Sequence, residues 1–245
     1  MPEISIVVPA KNEAENLPGL VAGVVAACED AALDFEVIVV DDGSTDDSAA
    51  RLVDLAKAEP RLRVVGHDVS GGQSAAVHSG VTHAKGRIVA TLDGDGQNPP
   101  EELPRLIAPL IASDAPERLG LVAGQRAKRQ DSLSKRLASR FANGLRSRVL
   151  RDGTRDTGCG LKAFRRDAFL ALPFFNHMHR YLPALFARAG WTVAHVDVSH
   201  AQRQAGKSNY SNLQRGLVGA VDLFGVYWLI RRRKISKATE LGGSE

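Results

Sequence analysis

The sequence predicts an α/β domain, a mostly parallel β-sheet covered by helices on both faces. Three observations carry that prediction. Short runs rich in Ile and Val recur through the first half, and helical patterns separate them. The runs are apolar at successive positions, as strands buried on both faces are. Polar turns follow three of them, at Pro9–Glu13, Asp41–Thr45 and Asp93–Gln97.

In chain order, Ile4–Pro9 reads as the first strand, and Asn12–Glu15 opens a helical pattern reaching about Glu29. Glu36–Val40 is the second strand. Ser44 or Thr45 is placed to cap a helix running to Ala58, with Asp46 and Asp47 in its favourable first turn. Arg61–Gly66, a helix over Gln73–Ala84, and Ile88–Leu92 continue the βα rhythm. Asn98 as cap with Pro99 at the first helical position starts another helix, and Leu119–Ala123 is a fifth strand. Leu133, Leu137, Phe141 and Leu145 recur at helical spacing, which predicts a helix with one apolar stripe and a basic face.

A chain of 245 residues, 44% hydrophobic, is long enough for one large α/β domain or a domain with an appendage. Cys28 and Cys159 lie far apart, outside any metal-ligand spacing, and suggest free thiols in a reducing compartment. The start, MPEISIVVPAKNE, has neither a basic stretch nor a long apolar one, so no signal peptide is expected. Charge is strongly segmented. Residues 1–60 carry a net −10, residues 61–123 a net −1, and residues 124–245 a net +15. This asymmetry suggests a cation held in the first half and an anionic partner at the second. Few aromatics interleave the basic residues and no nucleic-acid motif is visible, so nucleic acid is not the expected partner.

Ligands of such sheets bind beyond the carboxyl ends of the strands, where the three polar clusters fall. In Thr91–Glu102, TLDGDGQNPPEE, a buried strand ends in two carboxylates and an amide. Gly94 and Gly96 let the backbone turn sharply and a ligand approach closely. Such oxygen donors suit Mg²⁺ or Mn²⁺, which take one or two carboxylates plus substrate phosphates. The Asp41-Asp42 pair can accept hydrogen bonds from a base or a ribose. Neither GxxxxGK[ST] nor a GxGxxG after a strand is present, which removes the usual ATPase and dinucleotide signatures.

VVPAKNEAENL, VVDDGSTDDS and TLDGDGQNPPEEL together resemble the successive signatures of family 2 glycosyltransferases, from about Ile4 to Arg233. The resemblance implies a nucleotide-diphospho-sugar transferase fold of the GT-A type. It implies that Pro9, Ala10, Asn12, Glu13, Asp41, Asp42, Ser44, Asp93 and Gly94 lie around the nucleotide sugar. It also implies that Asp93, Asp95 and Gln97 surround the metal and diphosphate, with Asp95 counted as catalytic.

Gly124–Arg151 holds nine basic residues against one acid, Asp131, and Arg126 after the fifth strand is placed to meet a phosphate. Asp156–Phe164, DTGCGLKAF, is a small-residue segment expected beside the sugar pocket, with Cys159 as a packing residue. Between Ala168 and Val196 there is no Asp or Glu; Asn176-His-Met-His-Arg-Tyr181 stands there instead. Many family 2 enzymes carry a catalytic carboxylate in this region. A sugar hydroxyl needs a base, whereas a phosphate monoester, with a second pKa of about 6, needs only cations to hold it. His179 is read chiefly as structural, with the role of base as its alternative. Arg203, Gly206, Ser208 and Tyr210 match the RxxGxSxY loop of polyprenyl-phosphate glycosyltransferases of the dolichyl-phosphate mannose synthase-like branch, and HRYLPAL at His179–Leu185 matches too.

That branch implies inverting, metal-dependent transfer from GDP-mannose or a UDP-sugar to an undecaprenyl- or dolichyl-type phosphate. The phosphate would be held by Arg126, Lys135, Ser139, Arg180, Arg203, Lys207 and Ser208, of which Arg126 and Arg203 are counted as catalytic. The alternative is a family 2 enzyme acting on a saccharide hydroxyl. Residues 1–212 are assigned to the GT-A domain, with 1–125 the nucleotide-sugar and metal half and 126–212 the acceptor half. Residues 213–234 are read as an amphipathic membrane-associated helix, with a buried C-terminal core helix as the alternative, and 235–245 as a flexible tail. Gly216–Ile230 is shorter than the roughly 20 apolar residues of a spanning helix, and Tyr227 and Trp228 beside Arg231–Lys234 suit an interfacial one. No membrane span is expected. The location implied is cytoplasmic, peripheral on the cytoplasmic face of the membrane.

Overall fold

The computed structural model describes residues 1–126, 144, 146, 148–150, 152–199 and 212–234. Strands β1 (Ile4–Ala10), β2 (Phe35–Asp41), β3 (Leu62–Gly66), β4 (Ile88–Thr91), β5 (Leu119–Arg126), β6 (Lys162–Arg165) and β7 (Thr192–Val198) form one sheet of seven. Its spatial order is β3-β2-β1-β4-β6-β5-β7. All pairs are parallel except those of β6, which runs antiparallel to both β4 and β5. The helices are α1 (Leu17–Asp30), α2 (Ser48–Ala58), α3 (Gln73–His83), α4 (Leu103–Ile111), α5 (Arg166–Leu170), α6 (Leu182–Arg188) and α7 (Asn212–Arg232).

Strand pleating explains the unbroken apolar runs. Ile4, Ile6 and Val8 of β1 enter one core with Leu17, Leu20 and Val24 of α1 and Leu103 and Leu106 of α4. Val7, between them, enters the opposite core with Ala76, Val77 and Val81 of α3. In β2, Val37 and Val39 face the first core while Ile38 and Val40 face the second. With both faces buried there is no polar face to alternate with. Phe164 of β6 and Phe169 of α5 stack at 4.9 Å in the second core, which α6 and α7 complete.

Two expected helix starts are corrected. Helix α2 begins at Ser48 and has no acid in its first turn. Ser44 does not cap it, because its hydroxyl donates to Asp41 Oδ1; Asp46 Oδ1 accepts the Ser48 N–H at 3.0 Å. Asn98 is likewise not a cap: its Nδ2 donates to Asp93 at 3.1 Å, and Pro99 stays extended before a single 3₁₀ turn at Pro100–Glu102. In both places tertiary partners outcompete the local cap. The predicted helix through 133–145 lies almost wholly outside the described residues, as does the 235–245 tail.

Helix α7 has two faces. Val226 is buried, and Leu223, Tyr227 and Ile230 pack on the second core. Val221, Phe224 and Trp228 are 72%, 77% and 58% exposed. Among the described residues, no helix is long and apolar enough to cross a membrane.

Away from the carboxyl edge, Glu36 ties the sheet together. Its carboxylate accepts from Ser5 Oγ at 2.7 Å, Lys85 N–H at 2.6 Å and Arg63 at 2.7 Å. Burial alone would raise its pKa, but these bonds outweigh burial and hold it below 4.5. A depressed carboxylate contributes stability above its unfolded pKa and loses it as pH falls through the folded value. Glu36→Gln is therefore expected to lower stability by about 1–3 kcal/mol near neutral pH. In denaturant titrations the difference from wild type should shrink as the pH drops below 4.5.

Candidate active site

The sheet order places β4 on the far side of β1 from β2 and β3, so the chain reverses its direction of growth between β1 and β4. Clefts open at such switch points, beyond the carboxyl ends of the strands. Ala10, Asp41 and Gly66 align in register there, as do Val7 and Thr91. Because β6 is antiparallel, the residues entering it, Asp156–Leu161, arrive at the same edge. Thr91 Oγ1 bonds the Gly160 carbonyl at 2.8 Å across that junction.

The resulting cleft holds about 410 Å³ and is lined by Pro9, Gln73, Thr91, Asp93, Arg126, Asp156–Gly160, Lys162, His179 and Arg180, among others. Asp93 accepts from Gln73 Nε2 at 2.6 Å and Asn98 Nδ2 at 3.1 Å. Burial, and then the nearby Asp95 carboxylate, raise its pKa; Lys162 and Arg126 oppose the rise. Asp95 Oδ1 accepts the Gln97 N–H at 3.1 Å. Gly94 sits where a side chain would meet the Pro9 carbonyl at 3.0 Å and Ala10 at 3.2 Å, so only glycine lets this loop lie against β1. Two mutually repelling carboxylates separated by one residue supply the oxygen ligands that a hard divalent cation takes. Among the described residues no cluster of three or more His, Cys, Asp or Glu could hold a metal, so further ligands would come from Gln97 and from substrate phosphate.

On the β1–β2 side a second network shapes the rim. Asn12, at φ 56°, receives its place from two bonds: its N–H donates to Ser44 Oγ at 2.9 Å and its Oδ1 accepts the Thr45 N–H at 2.8 Å. Glu13 N–H donates to Ser48 Oγ at 2.9 Å. Asp42 is buried and bonded to the turn that follows β3. Its oxygens accept from His67 at 2.7 Å, Ser70 at 2.6 Å, and the Gly71 and Gly72 N–H groups at 2.8 and 2.9 Å. Burial favours its neutral form, yet these four bonds together keep its pKa below the usual value. Asp42 thus fixes the turn that delivers Gln73 to Asp93.

The basic side of the cleft differs from the expectation. Arg126 does line it, but its guanidinium forks onto Asp156 at 2.5 and 2.8 Å, so it faces the cleft as half of an ion pair. Arg180 also lines it. Lys135, Ser139, Arg203, Lys207 and Ser208 lie outside the described residues. His179 shares a 2.7 Å hydrogen bond between Nδ1 and Ser74 Oγ. Burial, then Lys162 and Arg180, hold its pKa well below 6.5, so it is neutral and tethered. Cys159 is a packing residue, buried in the first core, its thiol pKa raised by burial. Sequence reasoning missed Gln73 as a cleft group, and it set the segment Asp156–Phe164 beside the pocket without giving Asp156 or Lys162 a role. A lone lysine inside the run Leu161–Phe164 was the available signal for the last.

Gly160 is packed so closely on the Asp93 carboxylate that a Cβ would overlap it. Gly160→Ala is expected to displace Asp93 and cost about 1–3 kcal/mol of stability, as overpacking does. Hydrogen exchange should quicken at Gln73 and across 93–98 while the β1–β2 pairing keeps its protection.

The description "Glycosyl transferase family 2" matches residues 5–172. Two curated undecaprenyl-phosphate 4-deoxy-4-formamido-L-arabinose transferases are similar over 211 residues. One, from Enterobacter sp. (strain 638), is 37% identical, and one from Sodalis glossinidius (strain morsitans) is 39% identical. Each alignment covers 85% of this chain and 63% of the relative, so the chain spans under two thirds of their length. The fold is shared with glucosyl-3-phosphoglycerate synthase from Mycobacterium tuberculosis in complex with Mg²⁺ and UDP, at a TM-score of 0.69 and 21% identity, over 94% of this chain and 79% of that one. A mannosyltransferase from Pyrobaculum calidifontis in complex with GDP-Man and Mn²⁺ aligns at a TM-score of 0.67 and 21% identity, over 96% and 66%. The three motif-bearing strand ends, the GT-A sheet and the family match agree, and the chain belongs to glycosyl transferase family 2.

Proposed function

We propose that this protein transfers a sugar, with inversion, from a nucleotide-diphosphate sugar to a polyprenyl phosphate. The observation that carries the reading is a single cleft lined by Asp93, Lys162 and Arg180 together, with His179 neutral and bonded to Ser74. The names of the two curated relatives support a lipid phosphate as acceptor. The structural neighbours with UDP and GDP-Man support a nucleotide sugar, GDP-mannose or a UDP-sugar, as donor.

Residues 1–125 form the donor half in this reading and 126–212 the acceptor half. Pro9, Ala10, Asn12, Glu13, Asp41 and Ser44 shape the nucleotide rim, and Asp42 acts by holding its turn. Asp95 and Gln97, with Asp93 assisting, would hold Mg²⁺ or Mn²⁺, which neutralises charge on a leaving diphosphate. One phosphate oxygen of the acceptor forms a bond to the anomeric carbon as the bond from that carbon to the diphosphate breaks. The electron pair leaves with the nucleotide diphosphate, and no proton moves. Cations therefore replace a base, and the protein supplies alignment and charge. Arg180, with Arg203, Lys207, Ser208, Lys135 and Ser139, is assigned to the acceptor phosphate, Arg126 acting through its pair with Asp156.

Helix α7 is assigned to an anionic membrane surface, which puts the protein peripherally on the cytoplasmic face. Phe224 and Trp228 are exposed beside Arg231–Lys234, and Arg231 and Arg232 lie 5.2 and 5.9 Å from the Tyr227 and Trp228 rings. Apolar and basic groups together are what interfacial helices present.

Transfer from labelled GDP-mannose and UDP-sugars to undecaprenyl phosphate, against free saccharides as acceptors, tests the activity. Product is expected on the lipid phosphate, with a rate that rises to about pH 6 and is then flat as the acceptor's second ionisation completes. Asp95→Asn should abolish it. Product on a saccharide alone would refute the acceptor. Phe224→Ser with Trp228→Ser should reduce co-sedimentation with phosphatidylglycerol vesicles and leave transfer to a detergent-dispersed lipid intact.

A further inference from the structure

We propose that Lys162 is a phosphate-binding residue, its ammonium meeting a phosphate oxygen at the floor of the cleft. The inference rests on the transferase reading and adds to it a residue outside the motifs that define the family resemblance. Lys162 is on β6, and its neighbours Leu161, Ala163 and Phe164 are fully buried. Pleating sends Leu161 and Ala163 into the first core and Phe164 into the second. Lys162 shares the Phe164 face and occupies a position that packing alone would give to an apolar side chain. It is itself only 4% exposed, yet it lines the cleft.

Among the described residues, the one hydrogen-bond acceptor that Lys162 Nζ meets is the Cys159 carbonyl. An ammonium carries three donors, so that carbonyl accounts for a third of its capacity. Burial pulls its pKa below the ordinary lysine value, and the charges of Asp93 and Asp156 pull it back up. Asp93 is bonded to Gln73 and Asn98, and Asp156 is forked onto Arg126. The carboxylates that balance Lys162 thus have hydrogen-bond partners of their own. A purely structural role would be met more cheaply by an apolar residue, since a buried charge is a weak source of stability. A phosphate oxygen arriving in the cleft supplies the acceptor that the remaining donors lack. Two sources share this chemistry, the diphosphate of the donor and the phosphate of the acceptor.

Binding titrations of the full chain with Mg²⁺ decide between them, using inorganic pyrophosphate and farnesyl phosphate as probes on wild type, Lys162→Met and Lys162→Arg. One of the two anions is expected to bind Lys162→Met about 10- to 100-fold more weakly, the loss of a charge-assisted hydrogen bond, with Lys162→Arg within about threefold of wild type. A loss confined to pyrophosphate assigns Lys162 to the leaving group, and one confined to farnesyl phosphate assigns it to the acceptor. Thermal unfolding of Lys162→Met should stay at or above the wild-type midpoint; Lys162→Gln serves the same titrations if Met does not fold. Unchanged affinity for both anions overturns the proposal, as does a loss that Lys162→Arg fails to restore or a wild type that binds neither probe. These titrations involve no sugar transfer, so a protein that binds anions through Lys162 but glycosylates no lipid phosphate would refute the proposed function alone.

Discussion

One strand running against its neighbours makes this cleft what it is. Had β6 been parallel, the residues entering it would lie at the amino edge of the sheet, far from Asp93. Reversed, β6 brings Asp156–Leu161 to the carboxyl ends of β4 and β5, where the Thr91 hydroxyl donates to the Gly160 carbonyl. Gly160 then lies on Asp93, and Lys162 is the first residue of the strand to pair with Thr91. Hydrogen-bond register therefore sets the approach of the acidic and basic walls, leaving little to side-chain flexibility.

The acids at this edge divide by what they bond. Asp42 accepts four hydrogen bonds and is a scaffold for 67–72. Asp41 holds Ser44, which in turn receives Asn12. Asp93 is held by two amides, and burial, then the Asp95 carboxylate, raises its pKa. A run of acidic turn residues thus resolves into two that build the rim, Asp93 that lines the cleft, and Asp95 that accepts the Gln97 N–H beside it.

Buried opposite charges explain why the cleft is polar without being loose. Arg126 and Asp156 satisfy one another with paired bonds, and Lys162 feels the opposite charges of Asp93 and Asp156. Such groups are expensive to bury and become stronger electrostatic actors once water is excluded. His179 shows the converse, since burial, then Lys162 and Arg180, keep it uncharged.

How much of this was legible beforehand follows from the range of the interactions. Strand and helix order could be read because burial on both faces leaves a local signature, and all five expected strands appear within a few residues of their predicted bounds. The carboxylate-bearing turns could be read because each follows its own strand. The caps of α2 and α4 could not, because Ser44 and Asn98 bond partners that sequence rules for caps ignore. Nor could the fates of Arg126 and Asp42, which look like open charges until Asp156 and the 67–72 turn come against them. By itself the sequence determined the alternation of buried strands and helices and the three polar ends, since these depend on neighbours along the chain. Tertiary structure alone decided which charges are paired and which are offered to a ligand, because β6 meets β4 across about seventy residues and its register is set by packing on both faces of the sheet.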